Sequence, residues 1–146
     1  MKNNQKQNYF KEIHKLNEYF RLSAEVLLKK RHLNYGAYIV LNSIFDNPDI
    51  TQYKIAKTTG FSVQRVHQII NMLEERELII RIGISKYKKQ LQLTPQGKDV
   101  VDTTESELTA QFQSMFRDQQ VLVDTLSQSI KAMNDYLTSK NVGSLA

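Results

Sequence analysis

The sequence predicts a mainly α-helical fold with one small β-hairpin (α+β), and three observations predict it. Apolar residues recur at steps of three and four over most of the chain; two β-prone runs, Leu78 to Ile82 and Gln90 to Leu93, flank a basic segment that opens with Gly83; and helix start and stop residues stand between these stretches. A chain of 146 residues, 40% hydrophobic and 24% charged, suffices for one core, so residues 1–146 are read as a single domain.

From Asn8 to Arg31 the residues Tyr9, Ile13, Leu16, Phe20, Ala24 and Leu27 form an apolar stripe with no Gly or Pro to interrupt it, which predicts a long amphipathic helix. Asn34 is suited to cap a second helix, Tyr35 to about Asn47, with Tyr38, Leu41 and Phe45 on one face and an end before Pro48. Thr51 caps a short third helix through Ile55 and Ala56, and Gly60 closes it in the left-handed conformation that costs glycine nothing. Ser62 then caps a helix whose inward face is Val66, Ile69, Ile70 and Leu73, and two helices joined by the tight turn Thr59-Gly60-Phe61 make a helix-turn-helix.

The two β-prone runs follow as a hairpin with Lys86, Lys88 and Lys89 at its tip. Thr94 as cap with Pro95 at the first helical position opens another long helix, carrying Val101, Thr104, Leu108, Phe112 and Met115, and a last helix repeats the pattern with Leu122, Leu126, Ile130, Met133 and Leu137. A winged helix-turn-helix over residues 33–98 is thus flanked by helical regions at 8–31 and 95–139. The flanking stripes have no following element to cover them. A second copy of the chain covers them economically, since five or six apolar side chains per helix are worth roughly 1.5–3 kcal/mol each on full burial; burial within one chain as a four-helix bundle is the alternative. The expectation is a homodimer with N- and C-terminal dimerisation helices.

Charge is unevenly spread. Residues 1–59 hold 10 Lys and Arg against 5 Asp and Glu, residues 60–98 hold 7 against 3, and residues 99–146 hold 3 against 7. A basic middle and an acidic C-terminal third point the middle toward a polyanion. With no cysteine, disulfides, thiolate redox sensing and cysteine zinc sites are excluded. His14, His32 and His67 lack the carboxylate spacing of a metal site, and no phosphate loop, nucleophile elbow or catalytic carboxylate pair appears, so neither an enzyme nor a cofactor is expected. With neither a membrane-length apolar run nor a leader pattern, the expected place is the cytoplasm, without a membrane partner.

The segment from Thr51 to Thr94 carries the candidate interface with double-stranded DNA. The exposed side of the helix after Ser62 offers Gln64, Arg65, His67, Gln68 and Asn71. Placed in the major groove, Arg65 is suited to hold guanine through two hydrogen bonds, and Gln68 or Gln64 to do the same for adenine. Ser62 at a helix N-terminus, and Thr51 or Gln52 on the preceding helix, suit phosphate contacts. The competing reading is a winged-helix adaptor that binds proteins, whose recognition face would be apolar or acidic; here it is polar and basic.

From about Leu33 to Lys98 the chain resembles the MarR family of bacterial transcriptional regulators. The residues that carry the resemblance are Leu33-Asn34-Tyr35, Asn47-Pro48, Ile55-Ala56, Gly60, Val66 through Leu73-Glu74, Leu78-Ile79 and Leu93-Thr94-Pro95-Gln96-Gly97-Lys98. The resemblance implies a homodimer on pseudo-palindromic operators, usually a repressor and often relieved by a small-molecule effector held between the dimer helices and the winged domain; Phe20, Tyr35, Tyr38 and Phe112 are candidates for lining that crevice. Two positions depart from the family. Glu77 stands where a Gly is usual, so the helix must end differently or accept a strained cap. Ser85-Lys86-Tyr87 replaces the family's Asp-x-Arg, so Lys86, Lys88 and Lys89 are expected to bind phosphates, with Tyr87 packing at the tip.

Overall fold

Short polar side chains start most of the helices. In the computed structural model, which describes residues 8–85 and 88–140, Asn8 accepts from the Lys11 amide to open α1 (Tyr9–Lys29), and Asn34 accepts from the Ala37 amide to open α2 (Tyr35–Asp46). Thr51, Ser62 and Thr94 cap α3 (Gln52–Thr59), α4 (Val63–Glu75) and α5 (Pro95–Met115) in the same way. Each cap satisfies one of the amides a helix start leaves unpaired. Helix α6 (Gln120–Ser139) has no side-chain cap bond.

The core forms around α2, which packs against α1, α3, α4, α5 and the sheet. Leu28, Val40, Leu41, Ile44, Ile55, Val66, Ile70, Leu73, Leu78, Ile79, Leu91 and Val101 are almost wholly withdrawn from solvent. The expected inward face of α4, Val66, Ile69, Ile70 and Leu73, is buried as a unit. On α2 the core face is instead Ala37, Val40, Leu41 and Ile44. Phe45, expected on that face, is 43% exposed; it stands one residue, about 100° of rotation, from Ile44.

Three strands of an antiparallel sheet lie in the order β1 (Ile50–Thr51), β3 (Lys88–Leu93), β2 (Ile79–Ser85). The hairpin therefore starts as expected but runs further: Gly83 pairs with Lys89, and the segment read as a loop is mostly strand, with an irregularity between Gly83 and Ser85. Lys88 and Lys89 belong to β3 rather than to the tip. Lys86 and Tyr87, to which phosphate binding and tip packing were assigned, lie outside the described residues, as does the Lys88 side chain. Strand β1 is an addition to the expected hairpin. Asp49, at φ 70°, donates its amide to Leu91 at 3.1 Å and accepts from Gln92 at 2.6 Å, so the turn after Pro48 delivers Ile50 and Thr51 to the edge of β3.

Two helices end in the same way on non-glycine residues. At α4 the Glu77 amide bonds the Glu74 carbonyl at 2.9 Å and the Leu78 amide bonds Leu73 at 3.0 Å; at α1 the His32 amide bonds Lys29 at 3.1 Å and Leu33 bonds Leu28 at 3.1 Å. Both are left-handed caps, with φ 58° at Glu77 and 53° at His32. Glu77 thus gives α4 a left-handed end and takes on the strain that a glycine at this position would avoid. Where α5 starts, Gly97 is required by packing, because a Cβ there would lie 2.0 Å from the Leu78 carbonyl oxygen.

Helix α6 has no buried residue, and its stripe stays open, with Met133 65% exposed. The outer part of the α1 stripe does the same: Tyr9, Ile13 and Leu16 are exposed, and only Ala24 and Leu28 reach the core. No helix among the described residues is long and apolar enough to cross a membrane.

Candidate nucleic-acid interface

The helix-turn-helix is held from behind and open in front. Gly60, at φ 75°, ends α3 and lets Phe61 and Ser62 reverse the chain into α4, while Ile55 and Ala56 join Val66 and Ile70 in the buried core. With Val66, Ile69, Ile70 and Leu73 turned inward, helical geometry forces Ser62, Gln64, Arg65, His67 and Gln68 outward, and all five are exposed. Gln64 and Gln68 make no hydrogen bond to any described residue, so their amides are free for an outside partner.

Three other site residues, Ser62, Thr51 and Arg65, are already engaged. Ser62 Oγ accepts from the Arg65 amide at 3.1 Å, and Thr51 Oγ1 from the Lys54 amide at 3.3 Å. Both hydroxyls serve as caps, and Thr51 and Gln52 are only half exposed. The Arg65 guanidinium lies over the Phe61 ring at 4.0 Å from its centre and beside Gly36. It also borders a groove with Asn34, Gln68, Ile69 and Met72. The planar cation is thus supported on an aromatic face with its edge open to solvent.

Asn71, expected with the base readers, is half-buried and turned to the protein. Its Oδ1 accepts from Arg81 Nη2, and its side-chain nitrogen lies 3.2 Å from His67 Nε2. Arg81 and Glu74 complete this cluster and were missed in the sequence. Strand alternation places Arg81 on the same face as buried Ile79, toward α4, with Nε 3.1 Å from Glu74 Oε2; this is an ion pair off the hydrogen-bond line. An arginine at an inward strand position was the available signal. Lys54 and Lys57 of α3 add positive charge beside the turn, Lys57 standing 5.0 Å over the Tyr53 ring.

The four aromatic residues expected to line an effector crevice separate into two pairs. Phe20 and Phe112 meet with their rings tilted by 53° and their centres 5.3 Å apart, and Phe116 lies 5.1 Å from Phe112. These two line a cavity of about 260 Å³ between α1 and α5, together with Ser23, Ala24, Leu108, Thr109, Gln111 and Met115. Gln111 Oε1 is buried and has no hydrogen-bond partner among the described residues. Tyr35 and Tyr38 are 6.4 Å apart on α2 and are not among the lining residues. Tyr38 is half-buried and donates to Glu105; its burial and then that carboxylate push the phenol above its usual range.

Residues 33–85 match the model of the MarR family. None of the curated proteins matches the chain. Among solved structures the chain is similar to Staphylococcus aureus MarR in complex with salicylate and kanamycin, with a TM-score of 0.76 and 20% identity over 89% of this chain and 88% of that one. A MarR-family transcriptional regulator from Rhodococcus sp. RHA1 superposes with a TM-score of 0.75 and 18% identity, over 83% of this chain and 88% of that one. The S. aureus MepR–DNA complex gives 0.70 and 18% over 89% of this chain and 98% of that one. The resemblance to the MarR family is borne out over residues 33–85, and the fold is that of the family's winged-helix structures.

Proposed function

We propose that this chain, carrying the MarR-family segment and fold, is a sequence-specific DNA-binding transcriptional repressor that acts as a homodimer. The observation that carries the reading is the division of α4: one face wholly buried, the other a row of exposed amide, guanidinium and imidazole groups at the front of a helix-turn-helix. Such a row matches the donor and acceptor pattern of the major groove. The similar MepR structure is a complex with DNA, which supports the same use of this fold here. Gln64, Arg65, His67 and Gln68 are the base readers in this reading, and Ser62, Thr51, Gln52 and Lys89 are assigned to the phosphates.

The open apolar stripes of α1 and α6 support a second copy as partner, since one chain leaves Ile13, Ile130 and Met133 in water. The Phe20–Phe112 cavity supports a small-molecule effector with an apolar aromatic body and a donor for Gln111 Oε1; the similar S. aureus MarR holds salicylate. The test is selection of bound sites from random duplex DNA, alongside Arg65→Ala and Gln68→Ala. A pseudo-palindrome with half-sites about one helical turn apart is expected, with preference relaxed at the altered positions. No enriched motif overturns the reading in favour of a protein-binding adaptor, and a monomeric mass by light scattering removes the dimer. A reporter gene behind the selected site should be silenced by the protein.

A further inference from the structure

Four side chains form a hydrogen-bonded and ionic chain along the flank of α4: Glu74 pairs with Arg81, Arg81 donates to Asn71, and the Asn71 amide meets His67 Nε2 at 3.2 Å. The chemistry of the chain leaves one arrangement of protons. A guanidinium has five donors and no acceptor, so the atom of Asn71 that faces Arg81 must be the carbonyl oxygen. The NH2 group then faces His67. A donor opposite Nε2 requires a lone pair there, so the neutral imidazole carries its proton on Nδ1. Nδ1 has no partner among the described residues, and His67 is exposed on the open face of α4.

We infer that Arg81 and Asn71 are positioning residues that set the tautomer of His67, so that this side chain offers a duplex an N–H donor from Nδ1 rather than an acceptor. The inference rests on the proposed reading that α4 meets DNA. It gives His67 a defined partner class, an acceptor such as the N7 or O6 edge of guanine, the O4 of thymine or a phosphate oxygen. It also moves Asn71 out of the base-reading set. The wing strand thereby acts on recognition without touching DNA, because Arg81 belongs to β2 while His67 and Asn71 belong to α4. Glu74 holds the guanidinium from the far side and keeps it from swinging into solvent.

Nitrogen-15 NMR of the His67 ring in the free protein, in alkaline buffer, tests the tautomer without DNA. The proton is expected on Nδ1 in the wild type. It should move largely to Nε2, the form a free imidazole side chain prefers, in Asn71→Leu and in Arg81→Met. Arg81→Lys, which keeps a cationic donor and guards against a merely unfolded variant, should keep the proton on Nδ1. A proton on Nε2 in the wild type, or a tautomer unchanged in Asn71→Leu, overturns the inference. On a selected duplex, His67→Ala should weaken binding roughly five- to tenfold in the wild-type background, the size of one hydrogen bond, and less than about twofold in the Asn71→Leu background. Equal losses in both backgrounds overturn the donor role. Loss confined to particular base pairs identifies a base-edge acceptor, and uniform loss across sequences a phosphate. If no duplex is selected, the proposed function falls, and the NMR signature alone upholds or overturns the positioning of His67.

Discussion

Arg76 and Arg31 are joined end to end: Arg76 Nη2 donates to the Arg31 carbonyl at 2.8 Å and Nη1 to the next carbonyl, His32, at 2.9 Å, while the Arg31 guanidinium grips Glu107 with bonds of 2.8 and 2.6 Å. Arg76 is the cap residue of α4, so the end of the candidate recognition helix is tied through the end of α1 to α5. The carbonyls it takes up lie where a helix end leaves acceptors unpaired.

Arg76→Ala should destabilise the fold by about 1.5–3 kcal/mol, the range for hydrogen bonds to a charged group. Arg76→Lys should recover only part of this, because an ammonium does not reproduce the planar fork that meets two carbonyls at once. Urea unfolding measures both, and an Arg76→Ala midpoint equal to that of the wild type would remove the link from the account.

Glu107 gives stability a defined pH dependence. Its hydrogen bond to Arg31 holds the carboxyl below its ordinary value of 4.5. The unfolded chain therefore takes up the proton first as pH falls, and the contribution is complete above about that value and is lost as pH drops through the lower folded one. Glu107→Gln should flatten this acid limb in unfolding midpoints measured across the acid range. The limb should not vanish, because Arg21 holds Glu18 low in the same direction. An unchanged limb would show that the pair does not contribute.

Gly97→Ala places a methyl carbon 2.0 Å from the Leu78 carbonyl oxygen, which also accepts from the Thr94 amide at 3.1 Å. Backbone atoms cannot step aside as a side chain does, so a loss of about 1–3 kcal/mol is expected. Thermal unfolding checks it; a variant as stable as the wild type would mean that the start of α5 can shift off Leu78 freely.

Glu77→Gly should stabilise the protein by about 1 kcal/mol, since glycine adopts the left-handed conformation without the Cβ penalty. His32→Gly should act similarly at the end of α1. Glu77 is exposed, so little packing is lost with its side chain. A fall in melting temperature for both variants would contradict the strain argument.

The helix starts were legible in the sequence because a cap is a local device: Asn34, Thr51, Ser62 and Thr94 each bond an amide three residues on. The inward face of α4 was legible for the same reason, and with it the exposed row Gln64, Arg65, His67 and Gln68, since helical periodicity alone assigns the two sides. Phe45 misled because its stripe position falls at the margin of the buried arc, and only the packing around α2 decides where that arc is centred.

By itself, then, the sequence determined the caps, the periodic faces and the left-handed turn at Gly60, all of which depend on residues within a few positions of one another. Only the tertiary structure decided the rest. It recruited Ile50 and Thr51 to the sheet through Asp49 and Leu91, parted Phe20 and Phe112 from Tyr35 and Tyr38, and turned Asn71 from the open face to Arg81. Each of these depends on how different elements pack against one another, and no spacing along the chain encodes which atoms such packing brings into contact.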